Sequence, residues 1–504
     1  MIRESLLKIK GKVVSVLALI FSRLHLARAE ETATLSSETA ALRQETATLR
    51  RELAAINQEI SAFRTTLDQR IAVLSREQLN AEVSLRQILA SKQKELKGDE
   101  DFQVPPTKIC FIAPHAYSLF NPRASYVFGG SEVRAWMLGQ SLSQVPGNEV
   151  SFVVLDHGQQ PIEFYNRVKV YRASSLLRIY SSPPEALWPE GNRVDFLRIG
   201  EYEFQEEKVS FLQRVNADIY CIFGVHTLSA EVAAVCRREG KLLVLFAGCD
   251  LDFSENYHPD SKETNAYGSL GNICYYALMQ ADLIVTQTFR QAELLRERFG
   301  REATTLYNPV DLVHQVDRGR IETRTPMILW VGKADRIKQP ELLLQVATQC
   351  PDLFFTMVLN QSDPEIFIRI SQSAPSNIRI LPSVPFAEIE NLFAQAFAFV
   401  NTSKFEGFPN TFLQCGKFGV PVLSLHVDPD GFIEKYGCGF VAGGDVEQLI
   451  EGLKRLISEQ EWWKRCSKNI QEYVKVHHDL KDCVRELDSI FKKLILKRNI
   501  LPNE

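Results

Sequence analysis

Asn401-Thr402-Ser403-Lys404-Phe405-Glu406-Gly407-Phe408-Pro409-Asn410-Thr411-Phe412-Leu413-Gln414 links the apolar run 394–400 to Gly419-Val420-Pro421-Val422-Leu423-Ser424. The run before it reads as a buried strand, and the segment after Gly419 as another. Between them a loop carries a carboxylate and a glycine, and a helix opens near Pro409, where the missing N–H costs nothing. The free N–H groups and dipole of that first turn suit a phosphate. Glu406 stands at the mouth, and Gln414 lies about two helical turns further on. A ligand that touches both must be long, polar at each end and anionic between, as a nucleotide-sugar is. The competing reading is an ordinary strand–loop–helix junction.

At 504 residues the chain exceeds one core, so about three domains are expected. A net charge of −4 gives no electrostatic case for nucleic-acid binding. The ten cysteines form no CxxC pair and no metal-spaced cluster, which points to a reducing compartment and away from structural zinc.

Residues 1–28 are basic and apolar, and the run Val13 to Phe21 is too short to cross a bilayer. A helix lying on a membrane surface is the first reading; a secretory signal ending at Ala27-Arg28-Ala29 is the alternative. Residues 29–98 read as a coiled coil. Leu35, Leu42, Leu49, Ile56 and Phe63 form one seam position, and Thr32, Thr39, Thr46, Leu53 and Ile60 the other. Glu38, Glu45 and Glu59 stand five residues before Arg43, Arg50 and Arg64, the spacing of ion pairs between parallel strands. A homo-oligomer follows from that seam; a single helix packed on its own domain is the alternative.

From Lys108 strands and helices alternate, as in α/β folds. Gly129-Gly130-Ser131-Glu132 precedes a helix, and its paired glycines let an anion approach the backbone. His226 follows the strand Ile219–Phe223 at the carboxyl end, where open α/β sheets bind ligands. A proline-rich excursion surrounds Ser181–Pro189, and a polar hinge covers Val316–Thr325. After the hinge, Met327 to Gly332 reads as a strand leading to Lys333 and Lys338, two ammonium groups that repel unless an anion lies between them. Asp250-Leu251-Asp252 comes after Gly248-Cys249 and is not a metal motif at a strand end.

Together these stretches resemble the retaining glycosyltransferases of family 4, whose signature is Glu, seven residues, Glu. Glu406 matches the first acid, which in the family contacts the donor sugar; Gln414 replaces the second, which bonds the ribose. An amide still accepts from one hydroxyl and donates to another. The resemblance implies a GT-B fold: α/β, two Rossmann-like domains facing across a cleft, here preceded by the coiled-coil helix. It places an acceptor-side domain at 105–312, a donor-side domain at 325–485 and a C-terminal helix and tail at 486–504. Gly129 and Gly130 would face the donor diphosphate, and His226 the transferred sugar. Lys333 and Lys338 match the family's basic pair, and Leu306-Tyr307-Asn308-Pro309-Val310-Asp311 resembles the turn that closes the first domain. The loop 382–385, with Val384, corresponds to the base-holding loop.

The implied activity is sugar transfer from a nucleoside diphosphate sugar to a glycan, lipid or protein hydroxyl, with retention, in bacterial-type glycan synthesis. Glu406, His226, Lys333 and Lys338 would carry it, with Gly407, Phe408, Pro409, Asn410 and Gln414 binding donor. No cofactor and no metal are expected, and the location is cytoplasmic, with contact at the inner face of the plasma membrane. A non-catalytic coiled-coil scaffold with a degenerate transferase domain is the alternative. A dehydrogenase would need a GxGxxG after a strand, and none is present.

Overall fold

In the computed structural model the described residues are 48, 105–124, 128–173, 198–199, 202–203, 206–265, 267–312, 326–382 and 384–500. The basic N-terminal segment, nearly all of the coiled coil, the proline-rich excursion and the polar hinge lie outside them. No described helix is long and apolar enough to cross a membrane.

The first lobe is built on β1 (Thr107–Ile112), β2 (Asn148–Leu155), β3 (Ile162–Tyr165) and β4 (Val168–Ala173). A two-stranded hairpin of β5 (Arg198–Ile199) and β6 (Tyr202–Glu203) stands apart. The lobe continues through β7 (Ile219–Phe223), β8 (Leu242–Phe246), β9 (Leu283–Thr286) and β10 (Thr304–Thr305). Its eight-stranded sheet runs β10-β9-β8-β7-β1-β2-β4-β3, parallel except for the edge pair β3–β4. Strand residues alternate between two cores: Ile109 and Phe111 join one, Cys110 and Ile112 the other. Helices cover both faces, which is why these strands read as unbroken apolar runs.

The second lobe contains β11 (Met327–Lys333), β12 (Phe354–Asn360), β13 (Ile378–Leu381), β14 (Ala398–Asn401), β15 (Val422–Ser424) and β16 (Gly439–Val441). They form one sheet in the order β13-β12-β11-β14-β15-β16, every pair parallel. Because β11 and β14 are neighbours, the loops leaving Lys333 and Asn401 emerge side by side at the carboxyl edge.

Two crossings join the lobes. Val310 leaves the first lobe, and its N–H donates to the carbonyl of His478 at 2.8 Å. The helix Gln460–His477 ends there, and the helix Leu480–Ile500 returns to the first lobe, adding Cys483, Val484, Leu487 and Phe491 to its core. Asn148 Nδ2 donates to Asp488 Oδ1 at 2.9 Å and fixes that return.

Candidate active site

The two loops at the carboxyl edge of β11 and β14 are tied together before any ligand is considered. Asp335 Oδ1 accepts from the N–H groups of Ile337 and Lys338 at 3.0 and 2.8 Å, closing the turn after β11. Trp330 Nε1 donates to Thr402 Oγ1 at 2.9 Å, and that hydroxyl donates to the Lys338 carbonyl at 2.7 Å. The Lys404 N–H donates to the Ile337 carbonyl at 2.9 Å. Glu406 is thereby brought against Lys338.

Lys338 Nζ lies 2.7 Å from Glu406 Oε2, and Asn401 Nδ2 donates to Glu406 Oε1 at 3.0 Å. Burial pushes the carboxyl group up, but the charge of Lys338 and hydrogen bonds from Lys338, Ser403 and Asn401 outweigh it. The net result lies below the ordinary value of 4.5. Glu406 is therefore an ionised acid at neutral pH, held by charge-assisted bonds. Lys333 Nζ stands 3.7 Å from where a Cβ on Gly129 would sit.

The facing wall begins at Gly129, the extended residue capping the helix Gly130–Leu142. Its N–H donates to Glu132 Oε2 at 2.9 Å. Asn410 Nδ2, on the second lobe, donates to the Gly130 carbonyl at 2.9 Å, so the N-termini of the helices Gly130–Leu142 and Asn410–Phe418 meet across the gap. Two helix dipoles point their positive ends into one region, beside Lys333. Gly407 packs tightly against the first lobe. A Cβ there would lie 2.7 Å from the Gly248 carbonyl oxygen and 2.9 Å from Gln287 Oε1. Phe408 is buried, its ring centroid 4.6 Å from that of His478 and 5.2 Å from that of Phe432. Pro409 caps the Asn410 helix. On that helix Gln414 is half-buried, and its Oε1 is buried without a hydrogen-bond partner among the described residues.

His226 caps the helix Thr227–Glu239. Its Nδ1 accepts from the Ser229 N–H at 3.4 Å, and its Nε2 lies 3.2 Å from the Phe223 carbonyl oxygen. That pair of partners puts the proton on Nε2. Burial draws the imidazole down to about 4, against the opposing effect of the Phe223 carbonyl, so the ring is neutral at pH 7. The ring faces Gly224, whose Cβ position is 3.5 Å from His226 Cδ2. Nearby, Asp252 Oδ1 accepts from Val225 N–H at 3.1 Å, and its Oδ2 accepts from the amides of Gly248 and Cys249. Asp252 is thus spent on holding two loops, and burial raises its carboxyl above the ordinary value. Val384, just beyond β13, is half-buried against the second lobe's core.

Four residues with roles here were given no functional role by the sequence. Asn401 holds Glu406, while Gln287 and Asn308 reach Phe408 from the other lobe. Arg134, buried on the Gly130 helix, donates to the carbonyls of Leu306 at 2.9 Å and Ala247 at 3.4 Å, its guanidinium over the Phe246 ring at 5.2 Å. Burial draws it down to about 9, which leaves it protonated behind the glycine turn. Only its position inside an apolar helix pattern, between Val133 and Ala135, marks it in the sequence.

Comparisons with known proteins bear on the fold. Residues 315–473 match the family model "Glycosyl transferases group 1". A curated relative, glycosyltransferase 1 domain-containing protein 1 of Xenopus tropicalis, is 23% identical over 141 residues, 28% of this chain and 38% of its own. The match therefore spans about two fifths of that relative's length. Among solved structures, sucrose-phosphate synthase from Thermosynechococcus elongatus superposes with a TM-score of 0.59 at 16% identity, covering 78% of this chain and 100% of its own. The catalytic domain of starch synthase IV from Arabidopsis thaliana gives 0.55 at 12%, again covering 78% and 100%. Residues 315–473 thus match a group 1 glycosyltransferase model, and the two lobes share the GT-B fold of these solved structures.

Proposed function

We propose that this chain is a nucleotide-sugar-dependent, retaining glycosyltransferase. The observation that carries this reading is the Lys338–Glu406 pair, set beside two helix N-termini that meet from opposite lobes. A donor diphosphate lies at those N-termini and beside Lys333, with Glu406 gripping the sugar hydroxyls and the Gln414 side chain meeting the ribose. In transfer the bond from the anomeric carbon to the diphosphate oxygen breaks as the acceptor oxygen bonds that carbon. Charge then grows on the leaving diphosphate, which takes up the acceptor's proton. Preset amides and ammonium groups stabilise that charge without reorganising. His226, neutral and fixed by its cap, orients the sugar or its acceptor. The acceptor is a glycan, lipid or protein hydroxyl. All ten cysteines are free, in keeping with a cytoplasmic setting, where the membrane contact and homo-oligomer expected of the N-terminal segments would operate.

The scaffold reading, in which the coiled coil joins chains, takes its weight from Gln414. A thermal-shift screen of nucleoside diphosphates and their sugars, followed by donor turnover in Glu406→Ala and Lys338→Ala, separates the two. Stabilisation by one nucleotide class, with turnover lost in both folded variants, supports the enzyme. Oligomerisation with no nucleotide-dependent shift supports the scaffold.

A further inference from the structure

Phe408, two residues after Glu406, is held at both ends of its main chain by the opposite lobe. Gln287 Oε1 accepts from its N–H at 2.8 Å, and Asn308 Nδ2 donates to its carbonyl at 2.9 Å. The two amides also fix each other, Asn308 Nδ2 donating to Gln287 Oε1 at 3.0 Å. Gln287 Nε2 faces the carbonyls of Ala247 and Gly248, at 2.7 and 3.0 Å, so its amide can stand only one way round. Both side chains are buried, 5% and 3% exposed. Behind them His478 Nδ1 donates to the Asn308 carbonyl at 2.7 Å while its ring packs on that of Phe408.

We propose that Gln287 and Asn308 are positioning residues that set the acid-bearing loop from across the lobe boundary. The inference rests on the sugar-transfer reading and deepens it. Glu406 precedes the gripped peptide by two residues, and the helix that presents its N–H groups begins two residues after it, at Asn410. One clamp therefore fixes the acid on one side and the anion-facing helix end on the other. Neither amide need touch the donor to matter, because a displacement of ~1 Å at a reacting group costs about 100-fold in rate. The clamp also makes the second lobe's acid depend on the first lobe's strand ends, so the site is complete only when the lobes hold this register.

The test uses the full chain, with UDP-glucose, GDP-mannose and ADP-glucose as probe donors. Gln287→Met keeps the length and removes the amide; Asn308→Asp places an oxygen opposite the Phe408 carbonyl. In either folded variant kcat should fall about 100-fold, while the Kd of the matching nucleoside diphosphate stays within about threefold. Hydrogen exchange at the Phe408 amide should quicken at least ~10-fold without any ligand. A kcat within about threefold of the parent in a folded variant overturns the proposal, as does an equal loss of kcat and nucleotide affinity. If the parent turns over none of the probes, the sugar-transfer reading fails by itself. Exchange at Phe408 then decides the clamp: unchanged rates overturn it, faster rates sustain it. Should one variant fail to fold, the other carries the same readouts.

Discussion

Lys338 Nζ and Glu406 Oε2 stand 2.7 Å apart, so the cation suited to the leaving group and the acid suited to the sugar share one ion pair. Each therefore tempers the charge the other offers a ligand. Glu406→Gln removes the negative partner but keeps an acceptor for Asn401. We expect turnover to fall by about 100-fold or more, while affinity for the free nucleoside diphosphate holds or rises, since Lys338 is released toward phosphate. Titration calorimetry beside donor turnover checks the opposed signs. Loss of nucleotide affinity in step with turnover would sink the assignment of Lys338 to phosphate.

Acid should weaken the fold through its buried histidines. Burial takes His478 down to about 3, helped by the neighbouring His477 and opposed by the Asn308 carbonyl; His226 lies at about 4. Both stay neutral in the folded chain, whereas the unfolded chain binds their protons below the ordinary 6.5. Stability is therefore flat above 6.5 and falls as pH drops toward 4. Glu406, held below 4.5, adds its own loss only beneath that value. Asp428, raised by burial to about 6, works in the opposite sense, which makes a variant comparison necessary. Melting temperature measured from pH 7 to 5 should fall less steeply in His478→Gln than in the parent. Equal slopes would show that His478 is not buried neutral.

Much of this architecture can be read from the chain, for reasons particular residues make plain. Ile109–Ile112 and Ile328–Trp330 are buried on both faces, so burial alone writes them as apolar runs. The edge strand β3 escaped: Ile162 and Phe164 face outward, and its turn at Asn166-Arg167 lacks a glycine signal. Glu406, Lys338 and the glycine turn were visible as a pattern because each sits in a short loop at a strand end. What joins them was not visible. Gln287 and Phe408 lie 121 residues apart, and a lone amide after a strand has no periodicity to betray it.

On the proposed reading, Lys333 beside Gly129, Lys338 beside Glu406 and two converging helix ends would together supply what a divalent ion would give a leaving diphosphate. Asp252 is already committed to three backbone amides. Turnover should therefore persist in excess EDTA and gain less than about twofold from added manganese. Activity abolished by chelation and restored by manganese would overturn this.

Gly407 and Gly129 separate two uses of glycine. At Gly129 an added Cβ would meet Glu132 Oε2 at 2.9 Å, the far end of a flexible side chain that can swing aside. At Gly407 it would meet the Gly248 carbonyl oxygen at 2.7 Å, with Gln287 Oε1 and Gln291 Nε2 at 2.9 and 3.0 Å. Those atoms belong to the other lobe, and Gln287 is pinned by two carbonyls, so the lobes themselves must part. Overpacking of this kind costs about 1–3 kcal/mol. Gly407→Ala should thus lower the denaturant midpoint and enlarge the radius of gyration in solution scattering, while Gly129→Ala leaves both near the parent values. Each lobe keeps its own sheet in either variant, so far-ultraviolet dichroism should not change. If Gly407→Ala matched the parent in midpoint and radius, the close approach of the lobes at this loop would be wrong, and with it the shared site.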